Sequence, residues 1–360
     1  MRLLIAGGGT GGHLFPALAV AKAVKAEDRR GSVLFVGTRR GIEARILPQT
    51  DYPIRYITTR GIRRTGLINS VLAGVELPLA LFQSLAVIRE FRPTHVLGVG
   101  GFASGPTVVA AVLLRIPTAV QEQNSVMGTT NRILSRFVDR VYTSWEDTEP
   151  APPPAKTLLT GNPVRTDLLQ ASHRDKTQGK LNVLIFGGSR GARSINVSLA
   201  AGAAALSPMA ARIRIRHQTG AGAAEPMKKA YEDAGIEADV VEFIDDMGPA
   251  YQWADLVVCR SGASSLAELT ALGIPAIVVP YPYAIGDHQA RNAGVLERRN
   301  AVRVVPDEKL KNGALVGEIL TLGNDPHMLK TMAENSRKLG RPDAARTIAL
   351  DLLERERSRP

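Results

Sequence analysis

Short runs rich in apolar and β-branched residues, several of them closing on or near glycine or proline, alternate with helical stretches along this chain in two successive sets. The first set is Arg2–Ala6, 33–37, 95–100, 117–121 and 140–144; the second is 181–188, 213–217, 239–244, 255–259, 275–280 and 302–305. Continuous apolar character marks strands covered on both faces, and the intervening helical segments are the crossovers that parallel strands require. The expected fold class is therefore α/β, with two Rossmann-like domains, and a length of 360 residues suits two domains better than one. Between the sets runs Glu-Pro-Ala-Pro-Pro-Pro-Ala-Lys (149–156), which can hold neither a helix nor a central strand, so 150 to about 165 is expected to be the connection. The expected domains are 1–160 and 165–340, followed by an amphipathic helix over about 342–356 in which Arg and Glu alternate.

Charge narrows the partners. There are 45 Lys and Arg against 34 Asp and Glu, a net +11, which favours nucleic acid, phosphate ligands or acidic lipid headgroups. Aromatic residues are only 5%, and no recognition helix, zinc spacing or aromatic-basic RNA motif is present, so no nucleic-acid partner is expected. The single cysteine, Cys259, ends an apolar run and has no intramolecular partner, which points to a reducing compartment. The first apolar run is too short for a secretory signal, so a cytoplasmic protein is expected.

Residues 66–91 are almost continuously apolar. A membrane span of that length is disfavoured because Glu76 would place a charge in hydrocarbon at a cost of roughly 2.5 kcal/mol or more. Two readings stay open: a core helix, or a face that rests on an anionic bilayer through Leu79, Phe82 and Leu85 beside the basic Arg63 and Arg64.

Glycine-rich turns follow several of the strands. Gly7-Gly8-Gly9-Thr10-Gly11-Gly12-His13 opens an expected helix over 14–25 with Pro16 in its first turn, a place where backbone N–H groups can meet an anion. Gly7, Gly9 and Gly12 formally satisfy the dinucleotide spacing, but the second strand ends in Thr38-Arg39-Arg40 without the carboxylate a dehydrogenase would set on the ribose. The second half offers Phe186 to Arg193, Cys259 to Glu268 and Asp287 to Ala293, each entering a helix from a strand. There Glu268 could accept the hydroxyls of a ribose, and amide side chains could pair with those of a sugar. Three helix N-termini at one carboxyl edge read as a nucleotide-diphosphate site.

In order along the chain, the segments 8–13, Gly100-Gly101-Phe102-Ala103-Ser104-Gly105-Pro106, Glu122-Gln123-Asn124, 160–165, Gly187-Gly188-Ser189, Phe243-Ile244-Asp245-Asp246-Met247 and 259–268 resemble the MurG family of N-acetylglucosaminyltransferases. The resemblance implies a GT-B fold of two facing domains with an interdomain cleft, the last helix crossing back to the first domain. It implies UDP-N-acetylglucosamine as donor, a lipid-linked muramyl-pentapeptide as acceptor, and peripheral residence on the cytoplasmic face of the bacterial inner membrane. Carried over by position, Ile244 would meet uracil and Glu268 the ribose. Arg165, Ser189, Ala263, Ser264, Ser265 and Leu266 would meet the diphosphate region, and Gln289 and Asn292 the sugar. Thr10, Gly11, Gly12 and Asn124 would position the acceptor. Phe102, Gln121, Arg190 and His288 depart from residues frequent in the family, and Phe102 therefore receives no hydrogen-bonding role.

His13 is the candidate base for the acceptor hydroxyl, with acceptor orientation as its other reading. Asp245 and Asp246 are adjacent rather than alternating, so neither a tightly bound divalent metal nor any cofactor is expected. The rival expectations are a UDP-sugar epimerase of the same fold and a non-catalytic sugar-nucleotide or membrane-binding module.

Overall fold

The structure is a computed structural model that describes residues 1–59, 67–170, 179–187 and 191–358. The chain divides into two compact units, Met1–Arg165 with Pro342–Pro360, and Thr166–Arg341.

In the first unit the strands are β1 (Arg2–Ala6), β2 (Ser32–Gly37), β3 (Ile54–Tyr56), β4 (His95–Gly98), β5 (Thr118–Glu122), β6 (Arg140–Thr143) and β7 (Thr157–Leu159). They form one parallel sheet in the order β3-β2-β1-β4-β5-β6-β7. The helices are α1 (Gly11–Glu27), α2 (Glu43–Ile46), α3 (Leu67–Phe91), α4 (Ser104–Leu113) and α5 (Thr129–Leu134). Because alternate residues of a strand point to opposite faces, Leu4 and Ala6 of β1 join a core with Ala80, Ile88 and Val108 of α3 and α4. Leu3 and Ile5 face the other way, onto Leu14 and Val20 of α1.

The second unit contains α6 (Thr166–Gln170), β8 (Leu181–Phe186), α7 (Arg193–Gly202), β9 (Ile213–Gln218), α8 (Ala224–Asp233), β10 (Glu237–Val241), α9 (Met247–Trp253) and β11 (Leu256–Cys259). It continues with α10 (Ala263–Leu272), β12 (Ala276–Val278), α11 (His288–Glu297), β13 (Val302–Val304), α12 (Ala314–Gly323) and α13 (Pro326–Leu339). Its parallel sheet runs β10-β9-β8-β11-β12-β13 around a single apolar cluster. The last helix, α14 (Ala344–Arg357), belongs to the first unit and sets Ile348, Ala349 and Leu352 into the core beside α1.

The sequence reading and the structure part company in a few places. Strands β3 and β7 were not expected, and β7 lies inside the segment read as connection; both are three-residue edge strands, too short for any apolar pattern. Helix α1 starts at Gly11, three residues earlier than expected, so Pro16 lies inside it rather than in its first turn. Strand β10 ends at Val241, not 244, since its neighbour β9 ends at Gln218 and Asp246 already caps α9 through Gly248 N–H at 3.0 Å. In α3, Leu79 and Phe82 are exposed, but Leu85 is half-buried against the core and leaves the proposed bilayer face. Arg63 and Arg64 lie outside the described residues. Among the described residues no helix is long and apolar enough to cross a membrane.

Candidate active site

In each sheet the chain order reverses at one point, between β1 and β4 in the first unit and between β8 and β11 in the second, and open α/β sheets bind ligands outside the carboxyl ends of the strands there. The loops that leave these four strands carry the glycine motifs.

In the first unit the loop after β1 is spent on the protein itself. Gly7 N–H donates to Val36 O at 3.0 Å, Gly8 N–H to Gly100 O at 3.3 Å, and Gly9 N–H to the Glu43 carboxylate at 2.6 Å. All three of these donors are taken up by the protein itself. Thr10 is the N-cap residue of α1 in an extended conformation, and its Oγ1 lies 3.1 Å from His13 Nδ1. The half-buried imidazole stands over Gly100, where a Cβ would be 2.9 Å from His13 Cδ2; Gly100 also has φ +88°, so both space and backbone require glycine. Gly11 and Gly12 form the first turn of α1.

Asn124 is placed by Glu122, a carboxylate only 1% exposed, which accepts from Asn124 N at 3.1 Å, Asn124 Nδ2 at 3.2 Å, Gly128 N at 3.0 Å and Asn131 Nδ2 at 2.9 Å. Gln121, buried beside it, donates to Asn162 Oδ1 at 3.3 Å and to Ser144 Oγ at 3.4 Å. Arg165 sets its guanidinium 5.6 Å from the Phe15 ring centroid, beside the same edge of the first unit.

The second unit gathers its candidates around α10 and α11. Helix α10 begins from Gly262 with no side-chain cap, and Leu266 N–H already closes the first turn onto Gly262 O at 3.0 Å. Leu266, with its side chain fully buried, is thus a core residue rather than a diphosphate contact, and the helix-end donors belong to Ala263, Ser264 and Ser265. Ser264 Oγ is buried with no partner among the described residues. Glu268, in the second turn of the helix, accepts from Tyr251 Oη at 2.8 Å. Gln289 is bound to the neighbouring loops at both ends, its Oε1 accepting from Tyr281 N at 2.9 Å and its carbonyl from Ser261 Oγ at 2.9 Å. Asn292 is fully buried in α11, and Ile244 is half-buried in the loop after β10. Ser189 lies outside the described residues. Arg260 braces this edge: its guanidinium donates to Val279 O at 3.2 Å, Pro280 O at 3.1 Å, Asp307 Oδ1 at 2.6 Å and Ser194 Oγ at 2.7 Å. Burial, and then the nearby charge of Glu268, push the Cys259 thiol up, so it serves as an inert core residue.

Sequence reasoning passed over Glu43, Glu122, Tyr251 and Arg260, which touch other protein groups. For Glu43 a signal existed, a lone acid closely preceded by Gly37 and Gly41; for Tyr251 there was none.

Comparison with known proteins agrees with this arrangement. Residues 3–143 match the glycosyltransferase family 28 N-terminal domain, and residues 182–348 the glycosyltransferase family 28 C-terminal domain. A UDP-N-acetylglucosamine–N-acetylmuramyl-(pentapeptide) pyrophosphoryl-undecaprenol N-acetylglucosamine transferase of Geobacter sulfurreducens is 46% identical, the match covering 98% of each chain. The protein of that name from Syntrophus aciditrophicus is 45% identical over 97% of each. The crystal structure of Acinetobacter baumannii MurG superposes with a TM-score of 0.82 at 31% identity, covering 98% of this chain and 99% of that one. A UDP-GlcNAc 2-epimerase from Neisseria meningitidis reaches a TM-score of 0.69 at 16% identity, over 98% of this chain and all of that one, a likeness of fold alone. With two Rossmann-like units of the GT-B fold and full-length identity at this level, the chain belongs to glycosyltransferase family 28, in the MurG group.

Proposed function

We infer that this chain transfers N-acetylglucosamine from UDP-N-acetylglucosamine to the lipid-linked muramyl-pentapeptide, the step from lipid I to lipid II in peptidoglycan synthesis. The observation that carries this reading is the 46% identity over 98% of both chains to a transferase of that name. The epimerase alternative rests on a shared fold at 16% identity and is not favoured.

The donor is assigned to the second unit. Ala263, Ser264 and Ser265 open α10 with unspent N–H groups and a buried hydroxyl for the diphosphate, Glu268 accepts from the ribose, Ile244 borders the base, and Gln289 and Asn292 face the sugar. The first unit handles the acceptor through Thr10, Gly11, Gly12, His13 and Asn124. The muramyl 4-hydroxyl attacks the anomeric carbon as UDP leaves from the opposite face, inverting that centre. His13 takes the hydroxyl proton, its Nδ1 lying 3.1 Å from Thr10 Oγ1, a contact that orients the imidazole. The charge growing on the leaving diphosphate is met by the start of α10 and by Arg165, a scheme that needs no divalent metal or cofactor.

The enzyme works as a peripheral protein on the cytoplasmic face of the plasma membrane. Helix α4 packs against both α3 and α5, and exposed Leu79, Phe82, Leu113, Ile133 and Phe137 on or beside these helices lie near exposed Arg115, Arg132 and Arg136. Lys and Arg exceed Asp and Glu by 24 to 15 in the first unit but only by 21 to 19 in the second, a bias that supports an anionic surface as a partner of the first unit.

Incubation with UDP-N-acetylglucosamine and a lipid-linked muramyl-peptide, with mass analysis of the products, tests donor, acceptor and chemistry together. A product heavier by one N-acetylglucosamine supports the reading, and release of UDP without acceptor, or epimerised donor, refutes it. His13→Ala should lower kcat about 100-fold or more with donor affinity retained. Activity should survive exhaustive chelation; loss restored by manganese would overturn the metal-free scheme.

A further inference from the structure

Glu43 is 1% exposed and lies against the inner side of the first glycine loop. One carboxylate oxygen accepts from Gly9 N–H at 2.6 Å, and the other from Thr38 N–H at 2.9 Å and Thr38 Oγ1 at 3.0 Å. Three glycines make its socket, Gly8 after β1, Gly37 at the end of β2 and Gly41 in the turn that follows, for a Cβ at any of them would run into the Glu43 side chain. Among the described residues no Lys, Arg or His pairs with it, so backbone and hydroxyl donors alone compensate a buried acidic side chain. Such a group is costly to bury and is retained where its hydrogen bonds fix a geometry.

The geometry it fixes lies one residue before Thr10, whose side chain meets the candidate base. Gly9 precedes Thr10, whose Oγ1 meets His13 Nδ1, and Gly8 is bound to Gly100, against which the His13 ring rests. Thr10, the next residue, is the extended N-cap residue of α1, and its side chain makes no cap hydrogen bond but meets His13 Nδ1 at 3.1 Å. We propose that Glu43 is a positioning residue for the transfer: by holding Gly9 and Thr38 it sets the Thr10–His13 pair, and so the orientation and tautomer of the base. The proposal rests on the assignment of His13 above.

Glu43→Gln keeps the shape but turns an amide NH2 towards either Gly9 N–H or the Thr38 donors, and Glu43→Asp keeps both acceptor oxygens. Four purified proteins decide the matter: wild type, E43Q, H13A and the double variant, with kcat, acceptor KM and calorimetric UDP-N-acetylglucosamine affinity measured for each. We expect E43Q to lower kcat roughly 10- to 100-fold while donor affinity stays within about twofold, E43D to recover part of the loss, and E43Q to change the residual rate of H13A by less than about twofold, as residues acting as one unit do. A kcat of E43Q within twofold of wild type overturns the proposal and leaves His13 untouched, as does an equal loss in the wild-type and H13A backgrounds, which would show a general structural role. Near-wild-type turnover of H13A removes the base assignment and this proposal with it. If E43Q does not fold, the same comparison is made with E43D, for which a rate loss confined to the His13 background is required.

Discussion

Tyr251 Oη donates to Glu268 Oε2 at 2.8 Å, joining α9 to α10 and fixing the carboxylate assigned to the donor ribose. The tyrosine is 3% exposed, and its ring meets Phe186 edge-on at 6.0 Å, so its position is set by packing rather than by the hydrogen bond. Tyr251→Phe keeps that packing and removes only the orienting donor. Loss of one such bond is worth about 1 kcal/mol, or roughly fivefold, and should appear in the KM for UDP-N-acetylglucosamine with kcat within about twofold. An unchanged KM would show that Glu268 needs no help or does not meet the ribose.

His217 ties β9 to α7 and α8. Asn196 Oδ1 can only accept, so His217 Nε2 carries the hydrogen of their 3.1 Å bond and Nδ1 accepts from Tyr231 Oη at 3.0 Å. Burial holds the imidazole neutral, with its pKa lowered to about 3. An unfolded chain takes up a proton near pH 6.5 that the folded chain refuses until far lower, so the contribution of this histidine to stability is whole above about pH 6.5 and falls as the pH drops towards 3, by about 2 kcal/mol at pH 5. In His217→Gln that dependence is absent. Urea unfolding at pH 7 and pH 5 should therefore show the gap between wild type and variant narrowing on acidification, and a constant gap would contradict the account.

Asp351 of α14 gathers Arg140 Nη2 at 2.7 Å, Arg140 Nε at 3.1 Å, Tyr142 Oη at 2.8 Å and Arg355 Nε at 3.1 Å. Burial, and then the Asp351 charge, raise the Tyr142 hydroxyl well above its ordinary range, so it stays a donor at any working pH. Removing the acceptor in Asp351→Ala strands a fully buried hydroxyl and a largely buried guanidinium, at a cost of about 2–4 kcal/mol. The variant should unfold at lower urea and expose α14 to limited proteolysis, whereas Arg346→Ala, whose partner Glu27 is met at the surface at 2.7 Å, should do neither.

The bilayer face yields a paired test. Leu79→Ser with Phe82→Ser, and separately Leu113→Ser with Phe137→Ser, should weaken sedimentation with anionic vesicles while leaving the melting temperature within a few degrees, since all four side chains are exposed. Leu85→Ser should behave in the opposite way, lowering the melting temperature and sparing vesicle binding, because Leu85 packs on the core. Equal vesicle binding by all three would place the membrane contact elsewhere.

Period and punctuation were enough for much of the fold. Apolar runs marked the central strands because a strand buried on both faces must be apolar throughout, whereas the need for glycine at Gly100, set by its backbone and the His13 ring, emerged only in the structure. Edge strands β3 and β7 left no such trace, since half of each side of an edge strand meets solvent and three residues carry no pattern. The direction of Leu85 was hidden for a similar reason: in α3 nearly every position is apolar, so sequence does not tell the inward stripe from the outward one, and only packing against α4 and the sheet chose it. The chemical groups divide along the same line. Residue type and loop position singled out His13 and Glu268 as candidates, and the family resemblance added Asn124 and Ser264. Of what holds them, Thr10 on His13 and Glu122 on Asn124 are near neighbours in the chain, whereas Tyr251 on Glu268 and Glu43 beneath the glycine loop are distant in sequence and meet only once the sheets have ordered their strands.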